Sequence, residues 1–403
     1  MTEPIVVTIN AAEVDLTFVD FDLSITHGRS DVTSPPTSST CQLVIRGATG
    51  PAFDISDAVT VTAHGVARFA GTISDLDVNF IGTNPPKAIT TVTAMGNLAA
   101  LGLQEVGAAG WTEQTASQRV TGILTASGFS YLNGADTDIT LKAVALVDAT
   151  PTTALDALSS IASGTGATYF DDPNGRIVFE SYGNRGLTTF AGVWAAQPDT
   201  WTATSGTWGS FPVETTSTTM DTAGVMFAPQ WAKNLEPLIN DVTVTYGTDT
   251  SVNQSDAASI AAYGKREYRL ETQIKTVTDA TTRAASIITA QANPLWNLGQ
   301  ISILVHELDA ADITALMELV SGDLVIVDGL PAQGPYDVFE GIVEGWTDNY
   351  SQGNHTLTMS LSDPRFSYQI LKWVDVLPEL TWGEVDAAAQ WFEIVSNNDL
   401  VGV

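Results

Sequence analysis

The residue types that transfer protons, bind metals or attack electrophiles are few in this sequence. The four histidines, His27, His64, His306 and His355, are scattered along the chain, whereas acid–base catalysis needs tuned groups that converge on one place. No HExxH sets two imidazoles one helical turn apart for zinc, no GxSxG presents an exposed serine, and no GxxxxGK[ST] cradles a phosphate. The single cysteine, Cys41, stands among Leu43, Val44 and Ile45, which reads as a buried strand thiol and not as a nucleophile. One cysteine also excludes an intramolecular disulfide framework or a cysteine metal cluster.

Carboxylates, by contrast, are abundant: 46 acidic residues against 16 basic ones give a formal charge of −30. Asp20 and Asp22, Asp75 and Asp77, and Asp136 and Asp138 have the spacing of an acid and a base, or of calcium ligands. At this excess such pairs arise often, and alternate carboxylates on an exposed strand face are mostly solvated. The loop holding Asn133, Asp136 and Asp138 comes nearest to a calcium site, but it lacks the spacing and the closing Glu of an EF-hand. No residue is therefore assigned a catalytic, cofactor-binding or metal-ligating role. The expectation is a protein that is not an enzyme, with a surface that repels nucleic acid and anionic lipid.

The chain has 403 residues, 44% of them apolar and 15% charged, enough to bury substantial cores in about two to four compact units. Its start, MTEPIVVTIN, lacks the basic region and apolar run of a signal peptide, and no stretch reaches the roughly 18 apolar residues of a span. No stable membrane insertion is expected.

Residues 1–95 read as β: VTIN, DLTFV, TCQLVI, DAVTVTA, ARFAGTISDLDV and AITTVTA are short, Thr/Val-rich and often alternating, the pattern of a small antiparallel barrel or sandwich. Residues 96–185 change period and read as a small α+β domain. Thr115 caps a helix that carries Val120, Ile123 and Leu124 and stops at Gly128. A second helix has Thr150 as cap, Pro151 in its first turn, a stripe of Leu155, Leu158 and Ile161, and Gly164 after its end. ATYFDD and RIVFES flank the turn Asp172-Pro173-Asn174-Gly175, a hairpin signal.

Residues 186–235 form a Trp/Thr/Gly-rich linker or inserted arm, whose Trp194, Trp201, Trp208 and Trp231 suit packing on a neighbouring domain better than sugar binding. A second barrel-like domain with helical insertions spans 236–365: DVTVTYG, a helix capped by Asp279 and ended by Pro294, ISILVHEL, a short helix near 313–320, DLVIVDG, DVFEGIVEGW and HTLTMSL. Residues 366–403, with LTWGEV and QWFEI, form a C-terminal docking segment.

The two β regions echo each other. Asp57 corresponds to Asp323, Val59 to Val325, Phe69 to Phe339, Gly71 to Gly341, and Ile73 to Ile342 or Val343, which points to duplication. The two glycines mark sharp bends or close backbone approach, with the preceding Phe in a core.

Ile25 to Ile45, ITHGRSDVTSPPTSSTCQLVI, resembles the opening of minor tail proteins of long-tailed phages of Gram-positive, especially actinobacterial, hosts. A second likeness runs from Phe227 to Pro294 through APQW and INDVTVTYG, and a third covers DLVIVDG to FEGIVEGW. His27 takes the place where that family has an aromatic such as Tyr. The resemblance implies a tail-tip or baseplate hub: two related small β-barrels flanking a small α+β domain, assembled as a homotrimer at the end of the tail tube. It further implies contacts with the distal tail protein, the tape measure protein and other minor tail or receptor-binding proteins, with DNA only in transit and the virion tail tip as location. The alternative is a cell-wall or glycan-binding module or hydrolase of the tail tip, built on the tryptophan-rich segment.

Overall fold

The computed structural model describes residues 5–14, 20–32, 34–47, 53–82, 87–135, 137–144, 152–182, 218–221, 226–351 and 354–364. Trp194, Trp201, Trp208, Asp136, Thr150, Pro151 and the expected docking segment lie outside them. The protein is β-rich, of the α+β class, with several hydrophobic cores. None of the described helices is long and apolar enough to cross a membrane.

The first β unit contains Val6–Ile9, Asp20–Gly28, Thr40–Gly47, Ala58–Ala63, Val66–Ile81 and Lys87–Met95. In Ala58–Ala63 every second side chain is buried, so the Thr/Val alternation acts as the period-two pattern of a strand with one face on a core. Cys41 belongs to that core with Leu23, Ile25, Leu43, Phe69 and Val92. The second unit contains Met226–Ala232, Asn297–Leu304, Leu324–Asp328, Phe339–Ser351 and Asn354–Ser362.

The two units repeat one plan. In the first, Asp20–Gly28, Thr40–Gly47, Lys87–Met95, Val66–Ile81 and Ala58–Ala63 lie side by side; in the second, Met226–Ala232, Asn297–Leu304, Asn354–Ser362, Phe339–Ser351 and Leu324–Asp328 do so. Val59 faces Gly71 and Val61 faces Phe69, just as Val325 faces Gly341 and Val327 faces Phe339. The open register is settled by the bulges. Ile73 donates to the Asp57 carbonyl and Val343 to the Asp323 carbonyl, both at 2.9 Å, and the strand slips one residue just after each, at Ser74 and at Glu344. Ile73 therefore corresponds to Val343, not to Ile342. Phe69 and Phe339 are both buried, and a Cβ on Gly71 or Gly341 would come within 2.8 Å of the ring two residues before it.

The units are continuous with each other. Asp22 to Gly28 pairs antiparallel with Ser351 to Gly345, which joins the strands into one thirteen-stranded sheet. Among the described residues the hydrogen-bonded path stays open, and the two units share a seam.

The α+β region at 96–185 has its own core. Helix Ala116–Ser127 is capped by Thr115 in a capping box with Gln118 and ends at a left-handed Gly128, as expected. The next helix, Ala154–Thr165, starts later than expected: Thr153 caps it by accepting from the Asp156 amide, and Gly166 closes it while Gly164 is buried within it. Thr168–Asp171 and Ile177–Glu180 form the expected hairpin, with Tyr131–Gly134 parallel to its second strand.

Residues 240–293, which the sequence groups with the second unit, build a sheet of their own. Asp241–Tyr246 lies between Thr250–Ser255 and Glu267–Glu271, with helix Val277–Gln291 on one face. That helix is capped by Thr276, not Asp279; Asp279 supplies the amide that Thr276 accepts from. Helix Ala310–Glu318, capped by Asp309, begins before the expected 313.

Candidate functional site

The seam between the β units gathers the polar residues that the sequence disperses. Where Gly28 meets Gly345 the backbones approach so closely that no side chain fits: a Cβ on Gly345 would lie 2.4 Å from the His27 carbonyl, and one on Gly28 would lie 2.3 Å from the Glu344 carbonyl. Arg68 and Asp348, both fully buried, meet there. Arg68 donates to Asp348 Oδ2 through Nε at 2.9 Å and through Nη2 at 2.7 Å, and to the Met317 carbonyl at 2.5 Å. Its guanidinium lies 5.1 Å from the centre of the Trp346 ring. His355 Nε2 is 2.9 Å from the other carboxylate oxygen of Asp348.

Two histidines contact this pair, His27 at the Arg68 carbonyl and His355 at Asp348, and the other two pack on His355. His27 stacks on Trp346 at 4.6 Å, so it fills the place of an aromatic with an aromatic function. His64 stacks on His355 at 5.9 Å, and His306 Nδ1 is 3.4 Å from the His355 carbonyl. Tyr350 stacks on His355 at 4.0 Å and enters the core of the first unit. No local pattern signals this convergence, because it depends on a strand pairing between residues more than half the chain apart.

Electrostatics follow from burial. Desolvation pulls His27 below its ordinary pKa, and the Asp171 carboxylate counters this only in part. The neutral ring donates one proton, which suits Nε2, at 2.7 Å from the Arg68 carbonyl, better than Nδ1, at 3.3 Å from the Asp171 carbonyl. For Asp348 burial works to raise the pKa, but Arg68 and His355 outweigh it and hold the carboxyl below its usual range. An Asp–His pair can orient an imidazole as a base. Here the carboxylate has no exposed surface and the imidazole almost none; the pair lies closed within the second unit, and Arg68 of the first unit clamps it across the seam.

The clamp extends outward. Glu344, at the bulge, accepts from Arg29 Nε at 2.7 Å and from Ser362 Oγ at 2.5 Å. Asp171, at the tip of the α+β hairpin, accepts from the Ser39 amide at 2.9 Å and from Ser38 Oγ at 3.2 Å, which ties that hairpin to the first unit.

The carboxylate pairs singled out from sequence have separate fates. Asp22 binds Arg46 and Ser351 and is held below its usual pKa, by the Ser351 hydrogen bond first and Arg46 second. Asp75 and Asp77 sit exposed on Val66–Ile81. Asn133 spends its amide on the Ser117 carbonyl and Thr121 Oγ1. Among the described residues no cluster of three His, Cys, Asp or Glu side chains is placed to hold a metal. Cys41 is buried, and desolvation pushes its thiol up to about 12. Trp231 packs at 5.5 Å on Phe339 and 5.6 Å on Tyr336.

A concavity of about 220 Å³ lies on the α+β region, lined by Trp111, Arg119, Asp156, Ser160 and Gln273 among others. Arg119 is spent on structure: it donates to Gln273 Oε1 at 2.6 Å and to the Thr112 and Lys142 carbonyls at 2.9 and 2.8 Å. Burial lowers its pKa to about 10. It fastens the α+β region to the sheet of residues 240–293.

No family model matches the chain, nor does any curated protein sequence. Solved structures do. The 43 kDa tail protein of prophage MuSo2 from Shewanella oneidensis is similar with a TM-score of 0.60 at 12% identity, over 90% of this chain and 98% of that one. A tail protein from Neisseria meningitidis MC58 gives 0.59 at 12% identity over 91% and 98%. The prophage tail protein gp18 from Listeria monocytogenes EGD-e gives 0.51 at 12% identity over 88% and 94%. At this identity the likeness is one of fold, and it spans the β units together with the regions between them: the chain has the fold of phage tail proteins.

Proposed function

We propose that this chain is a structural component of a bacteriophage tail tip, a hub protein of which three copies form a ring that closes or extends the tail tube. The ring would anchor the distal tail protein, the tape measure protein and further tip proteins during host attachment and DNA delivery. The observation that carries this reading is the duplicated β unit within a fold shared with phage tail proteins. Two like units per chain let three copies present six similar units around an axis, and closed rotational symmetry is the usual assembly of identical chains.

In this reading residues 1–95 and the second β unit, Met226–Ala232 with the strands from Asn297 to Ser362, form the ring; 96–185 is the α+β domain, the part of 186–235 before Met226 is an arm, and 366–403 docks on a neighbour. The chain acts without catalysis and without a cofactor. Imaging of an assembled particle labelled on this chain tests it: three copies around the tail axis at the tip are expected, and six copies or one copy off the axis would overturn it. Incubation of the purified chain with peptidoglycan or host polysaccharide is expected to give no turnover above a heat-treated control. Sustained turnover abolished by one carboxylate substitution would favour a hydrolase.

A further inference from the structure

In the second unit, Phe339–Ser351 uses both edges. Asn354–Ser362 runs along one, while the other carries Leu324–Asp328 on its first half and Asp20–Gly28 on its second. The matching strand of the first unit, Val66–Ile81, has Lys87–Met95 along one edge and Ala58–Ala63 on the first half of the other. From Asp75 to Ile81 that second edge has no strand partner among the described residues. The repeat says what kind of strand belongs there. Asp20–Gly28 is the outer strand of the first unit, and its counterpart in the second, Met226–Ala232, ends the sheet with its own outer edge unpaired among the described residues.

The side chains agree with the backbone. Trp346, Asp348 and Tyr350 are buried at the seam, beneath the first unit. Their counterparts are Leu76, Val78 and Phe80, on the same inward face of a strand that outruns its own core. Val78 is 38% exposed and Phe80 is 68% exposed. An unpaired edge with an apolar face invites another strand and is a hazard when left open. Transferring the seam's register, in which Gly345 faces Gly28 and Trp346 faces His27, sets Asp75 opposite Lys233 and Leu76 opposite Ala232. Asp75 and Lys233 are both exposed, and their charges are opposite.

We infer that the edge Asp75 to Ile81 pairs antiparallel with Met226–Ala232 of a second copy of this chain. The two edges differ and lie apart on the sheet, so the contact is head-to-tail, and every copy offers one of each, which is the condition for a closed ring. The inference rests on the ring reading above and supplies its contact surface.

The test uses full-length variants Asp75→Cys and Lys233→Cys, mixed at high concentration with oxidised glutathione; buried Cys41 does not compete. A covalent dimer containing one of each variant is expected as the main product, with none above background from either variant alone. The doubly substituted chain should close into linked rings. Adding Val78→Glu and Phe80→Glu to the Asp75→Cys chain should abolish the mixed dimer while leaving its circular dichroism unchanged, because both positions are exposed. Absence of the mixed dimer, or dimers of Asp75→Cys with itself in equal yield, would overturn the pairing and point to another occupant. Linked rings of a size other than three would uphold the pairing and sink the trimer. Three copies in an imaged particle without a mixed dimer would uphold the trimer and sink the pairing.

Discussion

Asp57 and Asp323 hold the same turn in the two β units: each carboxylate accepts the amide of the residue three before it, from Asp54 at 2.7 Å and from Val320 at 2.8 Å. One position on, the strands begin, and one position before, the backbone turns left-handed, at Ser56 with φ 71° and at Gly322 with φ 99°. A turn reproduced to this detail in two places is what a duplicated unit leaves behind.

The two aspartates differ in surroundings, and Asp323 is the testable one. Burial raises its pKa to about 6, against a lowering by the Val320 amide. A carboxyl whose folded pKa lies above the unfolded value near 3.9 binds its proton more tightly in the folded state, so stability falls as pH rises from about 4 through about 6. Asp323→Asn keeps an acceptor for Val320 and removes that loss. It should raise the thermal midpoint at pH 8, by the equivalent of about 1–3 kcal/mol, and leave it unchanged at pH 4. An equal gain at both pH values would refute the assignment.

The buried pair at the seam is expected to be costly to break. Asp348→Asn leaves the Arg68 guanidinium buried without its counter-ion, and the loss should be about 3–5 kcal/mol, read from denaturant unfolding. Replacing both, as Arg68→Met with Asp348→Leu, should recover most of it, because two apolar groups of similar volume need no desolvated charge. If the single and double variants lose the same stability, the pair is not acting as a unit.

Backbone contact at the seam gives a sharper contrast between two glycines. Gly345→Ala should unfold or decouple the units, since its Cβ would meet three backbone atoms of His27 and Arg29 within 2.7 Å. Gly299→Ala, in strand Asn297–Leu304, meets only a side-chain nitrogen at 3.7 Å and should change stability by no more than about 1 kcal/mol. Limited proteolysis should cut the first variant and spare the second.

Charge predicts poor affinity for nucleic acid. At −30 the purified chain should show weak or undetectable DNA binding at about 0.15 M salt, since binding requires basic groups that neutralise phosphates. Tight binding that falls steeply with salt would contradict this. In a ring around a DNA channel, like charge on the lumen would let DNA pass without sticking.

The sequence alone determined the β-rich class, the helix around Val120 and its caps at Thr115 and Gly128, the Asp172–Gly175 hairpin, and the correspondence of Phe69 with Phe339. Each of these depends on signals within a few residues: alternation, a capping hydroxyl, a left-handed glycine, a turn tetrapeptide. The caps at Thr153 and Thr276 were missed because several hydroxyls and carboxylates compete within one turn, and only packing of the apolar stripe selects among them. What tertiary structure decided is the seam. That Gly28 lies against Gly345, that Arg68 finds Asp348, and that His27 and His64 of the first unit meet Trp346 and His355 of the second all accompany one strand pairing between residues about 320 apart in sequence. No local pattern encodes it, since a strand's edge hydrogen bonds are the same whichever partner takes them. The partner is chosen by the side chains that both units bury together.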